Sequence, residues 1–552
     1  MAKYVEVRKS ADYKKIAAEY NISPLTARVL VNRDVEDINK FFNGTVNDLN
    51  SPFLFPAIRR LVSSVINSIN QKEKIRIIND YDVDGICSGF ILLDGLTKAG
   101  ANVDIYTPER VIDGYGMSVG MIEKAKEDNI SLIITCDNGI SAFDAINRAN
   151  ELGIKVIVTD HHEIPLDDNG NQKLVNAPII NCKIGYPFNE LCGAGVAFKF
   201  IQALYSELKI PGVERYLEYV AIATVCDVMP LIDENRIFVK EGLKNPQNKG
   251  IRALMELNSI ERLDAYSVGF IIGPCINATG RISYAKDALR LLLETDDNKI
   301  QELAVMLNEL NEERKEMTKV ALEQALEVVD ETKKVLIVHL PDCHESISGI
   351  VAGRLKELFY KPVIVFAGTE EIIKGSGRSV PEYHMFNELN RVKQYLPKFG
   401  GHPMAAGMSI KLSDLKDFEK ALNDNCQAEE FVEKVKLDAI VSPTIMTKKL
   451  VDEIDTLAPF GLKNPKPVFG ANVKIFSLKI IGKNKNVAKM ILDDGYGHKV
   501  SGIMFDNVDN FMEIYNQNKD SVFCMIYKMS INEFRGVIEC QCVIQDIFPK
   551  HF

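Results

Sequence analysis

The run Ile75-Arg76-Ile77-Ile78-Asn79-Asp80-Tyr81-Asp82-Val83-Asp84-Gly85 leads directly into Ile86 to Ala99. Ile75 to Ile78 is a short isoleucine-rich run that reads as a strand, and Ile86 to Ala99 carries a helical pattern. Three aspartates at alternate positions occupy the turn between them. The arrangement recurs twice. Ser131 to Thr135 reads as a strand before Cys136-Asp137-Asn138-Gly139 and a helix through Ala145, and Lys155 to Thr159 reads as a strand before Asp160-His161-His162-Glu163. Leu174 to Ile180 is a candidate fourth strand. Strands separated by helices imply βαβ units and a parallel sheet, whose ligands gather at the carboxyl ends of the strands. The acids stand at those ends, and a further apolar run, Ala223 to Cys226, closes on Asp227.

Five or more carboxylates meeting at one sheet edge would repel and raise one another's pKa unless cations lay among them. Oxygen ligands suit Mg²⁺ or Mn²⁺, and imidazoles tilt the choice toward Mn²⁺. Two such ions, ~3.5–4 Å apart, can activate a water and steady the leaving oxygen of a phosphodiester. Asp80-x-Asp82-x-Asp84-Gly85 superficially opens a calcium loop of the EF-hand kind. That loop needs a glutamate at its twelfth position, where this chain has Ile91, and it follows a helix rather than a strand. An Asp beside a Gly after a strand, as near Asp137, is by itself an ordinary turn. Four acidic segments, each after an apolar run, are not explained by turns.

Composition narrows the class further. The chain has 552 residues, enough for three or four domains. No apolar run approaches the ~20 residues of a membrane span, and Met1 to Arg8 lacks the pattern of a secretory signal, so a cytoplasmic location is expected. The 11 cysteines form no Cys-x-x-Cys pair, which argues against a zinc ribbon or a thioredoxin-type site. A net charge of −10 does not exclude a nucleic-acid partner, because clustered acids can bind metal while basic patches elsewhere meet phosphate.

From about Asp296 to Asp330 apolar residues recur at Ile300, Leu303, Leu307, Leu310, Met317 and Val320, the stripe of one long helix able to bridge two lobes. A second α/β segment follows, with strands at Val335–Leu340 and Pro362–Ala367 and glycine turns around 375–377 and 400–407. Beyond about 430, short strands at 473–481, 488–492, 499–505, 522–527 and 537–544 suggest a small barrel. The expected architecture is thus α/β: residues 1–50 an N-terminal segment, 51–295 a parallel-sheet catalytic lobe, 296–330 a connecting helix, 331–428 a smaller α/β substrate lobe, and 429–552 an oligonucleotide-binding (OB)-like barrel. In the barrel, lysines at 474, 479, 483, 485 and 489 lie among Phe476, Tyr496 and Phe505, although strand aromatics are more often core. No Walker-type Gly-Lys-Ser/Thr is present, so no nucleotide-driven motor is indicated.

Asp-Tyr-Asp-Val-Asp-Gly, Asp-Asn-Gly-Ile-Ser and Asp-His-His, in this order, resemble the DHH phosphoesterase superfamily and its bacterial single-strand-specific exonucleases. Pro108-Glu109-Arg110 with Gly114-Tyr115-Gly116, Cys226-Asp227-Val228-Met229-Pro230-Leu231 and Asn277-Ala278-Thr279-Gly280-Arg281 extend the likeness. So do Ser348-Gly349-Ile350-Val351-Ala352-Gly353-Arg354 and Gly400-Gly401-His402-Pro403-Met404. Two departures, Asn79 where relatives often have glycine and Cys226 where alanine is commoner, put little in doubt.

The resemblance implies that Asp80, Asp82, Asp84, Asp137, His161 and Asp227 hold two divalent ions, Mn²⁺ preferred and Mg²⁺ the alternative, with Asp137 as the bridge. Asp160 and His162 would orient ligands or the scissile phosphate, and Arg281 would steady phosphoryl charge. Arg110, Tyr115, Asn277, Arg281, Arg354, Arg378, Ser379, Gly401 and His402 would contact single-stranded DNA. The implied activity is 5′→3′ release of 5′-mononucleotides in DNA repair and recombination, by a monomer with a single-strand-binding protein or a helicase as candidate partner. Two rivals are a superfamily enzyme for very short substrates and a non-catalytic scaffold that has lost ligands. The second fits poorly with a complete acidic set.

Overall fold

Registry along one parallel sheet places the acidic turns side by side. In the computed structural model, which describes residues 2–109, 116–167, 169–495, 497–534 and 536–549, the first lobe holds a five-stranded parallel sheet. Its spatial order is Asn102–Tyr106, Lys74–Asn79, Leu132–Cys136, Lys155–Asp160, Ile179–Asn181. Numbered by sequence within this lobe, that order is 2-1-3-4-5, so the chain reverses direction across the sheet between the first and third strands, where a ligand crevice is expected. Asn79 pairs with Cys136 and Cys136 with Thr159. Asp80 and Asp137 therefore leave adjacent strands at one level, with the end of the fourth strand, Lys155–Asp160, beside them.

The edge strand Asn102–Tyr106 was not foreseen, and the strand sought between Leu174 and Ile180 is confined to Ile179–Asn181. The helix after Asp137 begins only at Phe143 and runs to Glu151, and the apolar run ending at Asp227 is the helix Leu217–Cys226 rather than a strand. The helices Val83–Lys98 and Gly193–Leu208 and that run pack into one core with strand residues such as Ile75, Ile77 and Leu132.

The long helix Asp297–Val328 buries Ile300, Leu303 and Leu307 against the first lobe, and Ala321 and Ala325 against the second. Val320, placed on the apolar stripe by its spacing, is 44% exposed. The second lobe is a mixed five-stranded sheet in the order Lys398–Gly401, Ala405–Lys411, Ile372–Arg378, Val363–Ala367, Leu336–Leu340, with the helix Glu345–Phe359 packed on it. In the tail, strands Phe469–Ile481, Val487–Asp493, Lys499–Met504, Val537–Phe548 and Phe523–Phe534 pair in that order, and pairing of the last with the first closes a barrel. Phe476 and Phe505 are not core but are 63% and 51% exposed, and Lys499 Nζ lies 3.1 Å from the Phe476 ring centre.

Much of the N-terminal segment packs with the tail, while Val46 and Leu49 near its end pack on the first lobe. Lys3–Glu6 pairs in parallel with Lys434–Leu437. Val29, Leu30, Ile38 and Phe41, from the short helices Pro24–Asn32 and Ile38–Asn43, share a core with barrel residues such as Phe469 and Phe523. Among the described residues, no helix is long and apolar enough to cross a membrane.

Candidate active site

Asp82 starts the helix Val83–Lys98, and its carboxylate accepts the Gly85 amide at 3.0 Å. This is a side-chain N-cap, and Gly85 tolerates the tight turn because any Cβ there would meet Asp80 O at 2.4 Å. Asp84, in the first turn of that helix and 2% exposed, accepts the amides of Gly193 (2.6 Å) and Ala194 (2.7 Å) at the start of Gly193–Leu208. That helix N-terminus neutralises part of the charge of Asp84. Asp137 is held in the left-handed region (φ +61°), and its amide donates to Thr159 O.

Around His161 the pieces meet. Its Nε2 lies 3.2 Å from Asp137 Oδ1, 3.6 Å from Asp84 Oδ2 and 3.6 Å from Asp227 Oδ2. Three groups of residues each offer ligand atoms within 4.8 Å of one another: Asp80, Asp82 and Asp137; Asp84, His161 and Asp227; and Asp137, His161 and His162. Burial and then the neighbouring carboxylates, Asp84 foremost, push Asp82 upward and hold Asp137 far above the usual carboxylate range. The same causes push Asp227 up to about 8, although its side chain is 30% exposed and solvent softens the effect. His161 is lowered by burial.

Asp160 plays another part. Its Oδ1 accepts the amides of His161 (2.7 Å) and His162 (3.1 Å) and lies 2.7 Å from His162 Nδ1, while Oδ2 accepts the Ile140 amide at 2.9 Å. With those bonds made, its carboxylate is occupied in holding the backbone of His161 and His162 and the imidazole of His162. Burial alone would raise its pKa, but bonding to His162 holds it below the ordinary value. His162 is pushed up to about 9 against the desolvation that opposes it, first by that bond and then by surrounding acids.

The predicted substrate residues are arranged less uniformly. Asn277 accepts the Val83 amide at 3.2 Å, bracing the turn between Asp82 and Asp84. Gly280 packs against Tyr81, and the next residue, Arg281, donates from Nη1 to Ser346 O of the second lobe at 2.7 Å. Arg378 donates to Gly377 O and lies along the helix bearing Arg354, which is exposed and faces Glu357. Ser379 turns inward: it is 1% exposed and donates to Tyr383 O at 2.6 Å, so the structure does not bring its hydroxyl into a cleft.

A cavity of about 1350 Å³ between the lobes is lined by Tyr81, Ser141, Ser348 and Gly401. Lys173, Lys374 and Lys398 also line it and were not singled out from the sequence. His402 is exposed and, like Arg354 and Arg378, stands outside that lining. Arg110, Tyr115 and the barrel's Tyr496 lie outside the described residues. The Gly193–Ala194 amides escaped the sequence reading too, and the Gly-rich start Cys192-Gly193-Ala194-Gly195 was the available signal.

Comparison with known proteins places the whole arrangement. The N-terminal domain of the DHH family matches residues 74–224, the DHHA1 domain 332–428 and the RecJ OB domain 437–546. The single-stranded-DNA-specific exonuclease RecJ of Bacillus subtilis (strain 168) is 35% identical over 97% of this chain and 69% of its own length. The Haemophilus influenzae RecJ is 32% identical over 95% and 96%. The chain belongs to the RecJ family. A Thermus thermophilus RecJ crystal structure with Mn²⁺ shares the fold, with a TM-score of 0.87 at 24% identity over 100% of this chain and 80% of that one. An exonuclease RecJ solved bound to manganese is 31% identical, with a TM-score of 0.61 over 68% of this chain and 96% of its own.

The residues present fit the metals seen in those RecJ relatives. Asp137 Oδ1 is buried without a well-directed hydrogen bond, since His161 Nε2 is near it but not aligned as a donor. A buried carboxylate oxygen left in that state is costly unless a cation completes it. The donor set, carboxylates with one or two imidazoles, is that of Mn²⁺ or Mg²⁺ rather than of a thiolate-bound metal.

Proposed function

We propose that this chain is a single-stranded-DNA-specific 5′→3′ exonuclease that releases 5′-mononucleotides by metal-dependent hydrolysis. The observation that carries the reading is the convergence of Asp80, Asp82, Asp84, Asp137, His161 and Asp227. These six would hold two divalent ions, with Asp137 shared between them. Held there, divalent ions would supply a water of lowered pKa and would offset charge on the leaving 3′ oxygen.

The rest is done by side chains of this chain. Asp160 fixes the rotation of His162 through Nδ1, keeping a proton on that atom and presenting the imidazole toward the scissile phosphate. Arg281, held across the lobes by Ser346 O, would meet phosphoryl oxygens whose charge grows during attack. Arg110, Tyr115, Arg354, Arg378, Gly401 and His402 would follow the strand. Exclusion of duplex would come from an interlobe cleft that admits one strand, and the barrel, with exposed Phe476 and Phe505, would hold the trailing bases. We take residues 51–295, 331–428 and 429–552 as the catalytic, substrate and nucleic-acid-binding units, with the helix 296–330 between the first two. The enzyme would act as a cytoplasmic monomer in repair and recombination, supplied by a single-strand-binding protein or a helicase.

The test is digestion, with Mn²⁺, of a 5′-labelled long single strand, its duplex and a labelled dinucleotide. Rapid release of labelled mononucleotide from the long single strand, with the duplex resistant, is expected. Activity confined to the dinucleotide would move the enzyme to short substrates, and no activity on any of them would overturn the assignment.

A further inference from the structure

Asp227 is followed by a residue in an unfavourable conformation. Val228 sits at φ +55° and is 64% exposed, a left-handed backbone that a β-branched side chain resists and that no burial of its own repays. Such a conformation persists only where the surroundings over-determine it. On the upstream side the helix end does so, with the Asp227, Val228 and Met229 amides donating to Ala223, Val225 and Thr224 carbonyls. On the downstream side, part of the support comes from distant parts of the chain. The Leu231 amide donates to Leu462 O at 2.9 Å, and Gly461 approaches Leu231 so closely that a Cβ there would lie 2.7 Å from its Cδ1.

The segment then enters the helix Asp233–Gly242, whose Arg236 is 3% exposed. Its guanidinium donates to three backbone carbonyls in two other regions: Phe41 O at 2.9 Å, Leu457 O at 2.8 Å and Ala458 O at 2.8 Å. The Phe41 ring stacks beneath it, 3.6 Å from the guanidinium carbon. No carboxylate pairs with it in the described structure, and Lys40 adds an ion pair to Asp233 from the same N-terminal arm. A planar fork of fixed donors is suited to hold three carbonyls in one geometry, whereas a lysine offers a single point charge.

We infer that Arg236 is a positioning residue: by fastening the N-terminal arm and the 457–462 segment to the catalytic lobe, it holds the strained Val228 turn and so keeps Asp227 in place to bind metal. This inference rests on the metal-site reading of Asp227. It implies that docking of the tail completes the metal site, and that loosening the clamp lets Val228 relax to negative φ and carries Asp227 away.

The experiment is Mn²⁺ binding to full-length protein, read from the electron paramagnetic resonance signal of free Mn²⁺, alongside thermal melting. Arg236→Lys is expected to weaken the Asp227-dependent Mn²⁺ by about tenfold, the size of the strain released. Arg236→Lys with Val228→Gly is expected to recover wild-type binding, because glycine adopts the left-handed turn without strain and no longer needs the clamp. If Arg236→Lys does not fold, Phe41→Leu loosens the same clamp and takes its place. Unchanged Mn²⁺ affinity in the folded clamp variant, or failure of the glycine to restore it, would overturn the inference. Asp227→Ala binding Mn²⁺ as wild type does would overturn the metal-site reading instead.

Discussion

Gly193→Ala tests the site through a methyl group. A Cβ on Gly193 would lie 2.7 Å from Asp137 Cβ and 2.8 Å from Asp137 Oδ1, where ordinary contact begins near 3.4 Å. Either Asp137 or the start of the helix must therefore retreat by roughly 0.7 Å, beyond the ~0.5 Å within which an active group must be held. The helix cannot retreat freely, because the Gly193 and Ala194 amides are bonded to Asp84 at 2.6 and 2.7 Å. Hydrogen bonds to a carboxylate are worth about 1.5–3 kcal/mol each, so losing one matches the ~10²-fold rate loss that a misplacement of about 1 Å can cause. We expect turnover of single-stranded DNA to fall by about two orders of magnitude, with Mn²⁺ affinity falling too and the melting temperature little changed. Gly353→Ala, in a helix where the new methyl meets no atom within 4 Å, serves as the control and should gain about 0.5–1 kcal/mol of stability. Turnover by Gly193→Ala within twofold of wild type would refute the claim that Asp84 and Asp137 are jointly positioned by this helix start.

Asp137→Asn should abolish hydrolysis while raising the melting temperature of the metal-free protein, because it removes one charge from a crowded, buried set. A lower metal-free melting temperature would argue against that crowding. In the metal-free fold, Asp227 binds its proton more tightly than in the unfolded chain, so between about 3.8 and about 8 the folded state carries more protons and its stability falls as pH rises. Thermal melts in chelator should show that slope. Mn²⁺ binding should release protons, which calorimetry in two buffers of different ionisation enthalpy would detect. Lys199 and Glu234 are both fully buried and 2.6 Å apart, so Lys199→Met leaves an unpaired buried charge at a cost of about 3–5 kcal/mol. A loss below about 1 kcal/mol in denaturant unfolding would show that Glu234 is not held as an ion.

The sequence by itself determined the parallel sheet and most of the acidic site, because both depend on short-range signals. An isoleucine-rich run followed by aspartates reads as a strand with acids at its carboxyl end, and sheet registry then sets Asp80, Asp137 and the Asp160–His161 turn together. What each acid does with its oxygens was decided only in three dimensions. Asp160 looks like its neighbours in sequence, yet donors from Ile140, His161 and His162 occupy it, while Asp84 is bonded to a helix that starts more than a hundred residues later. Ser379 sits in a glycine-rich, basic segment that reads as phosphate-binding, and packing turned its hydroxyl to Tyr383 O. The N-terminal fifty residues carry no chemical motif, but Lys3–Glu6 completes its pairing with a strand more than four hundred residues away. Contacts of that span are set by which surfaces the folded lobes leave to be covered, and no local pattern records them.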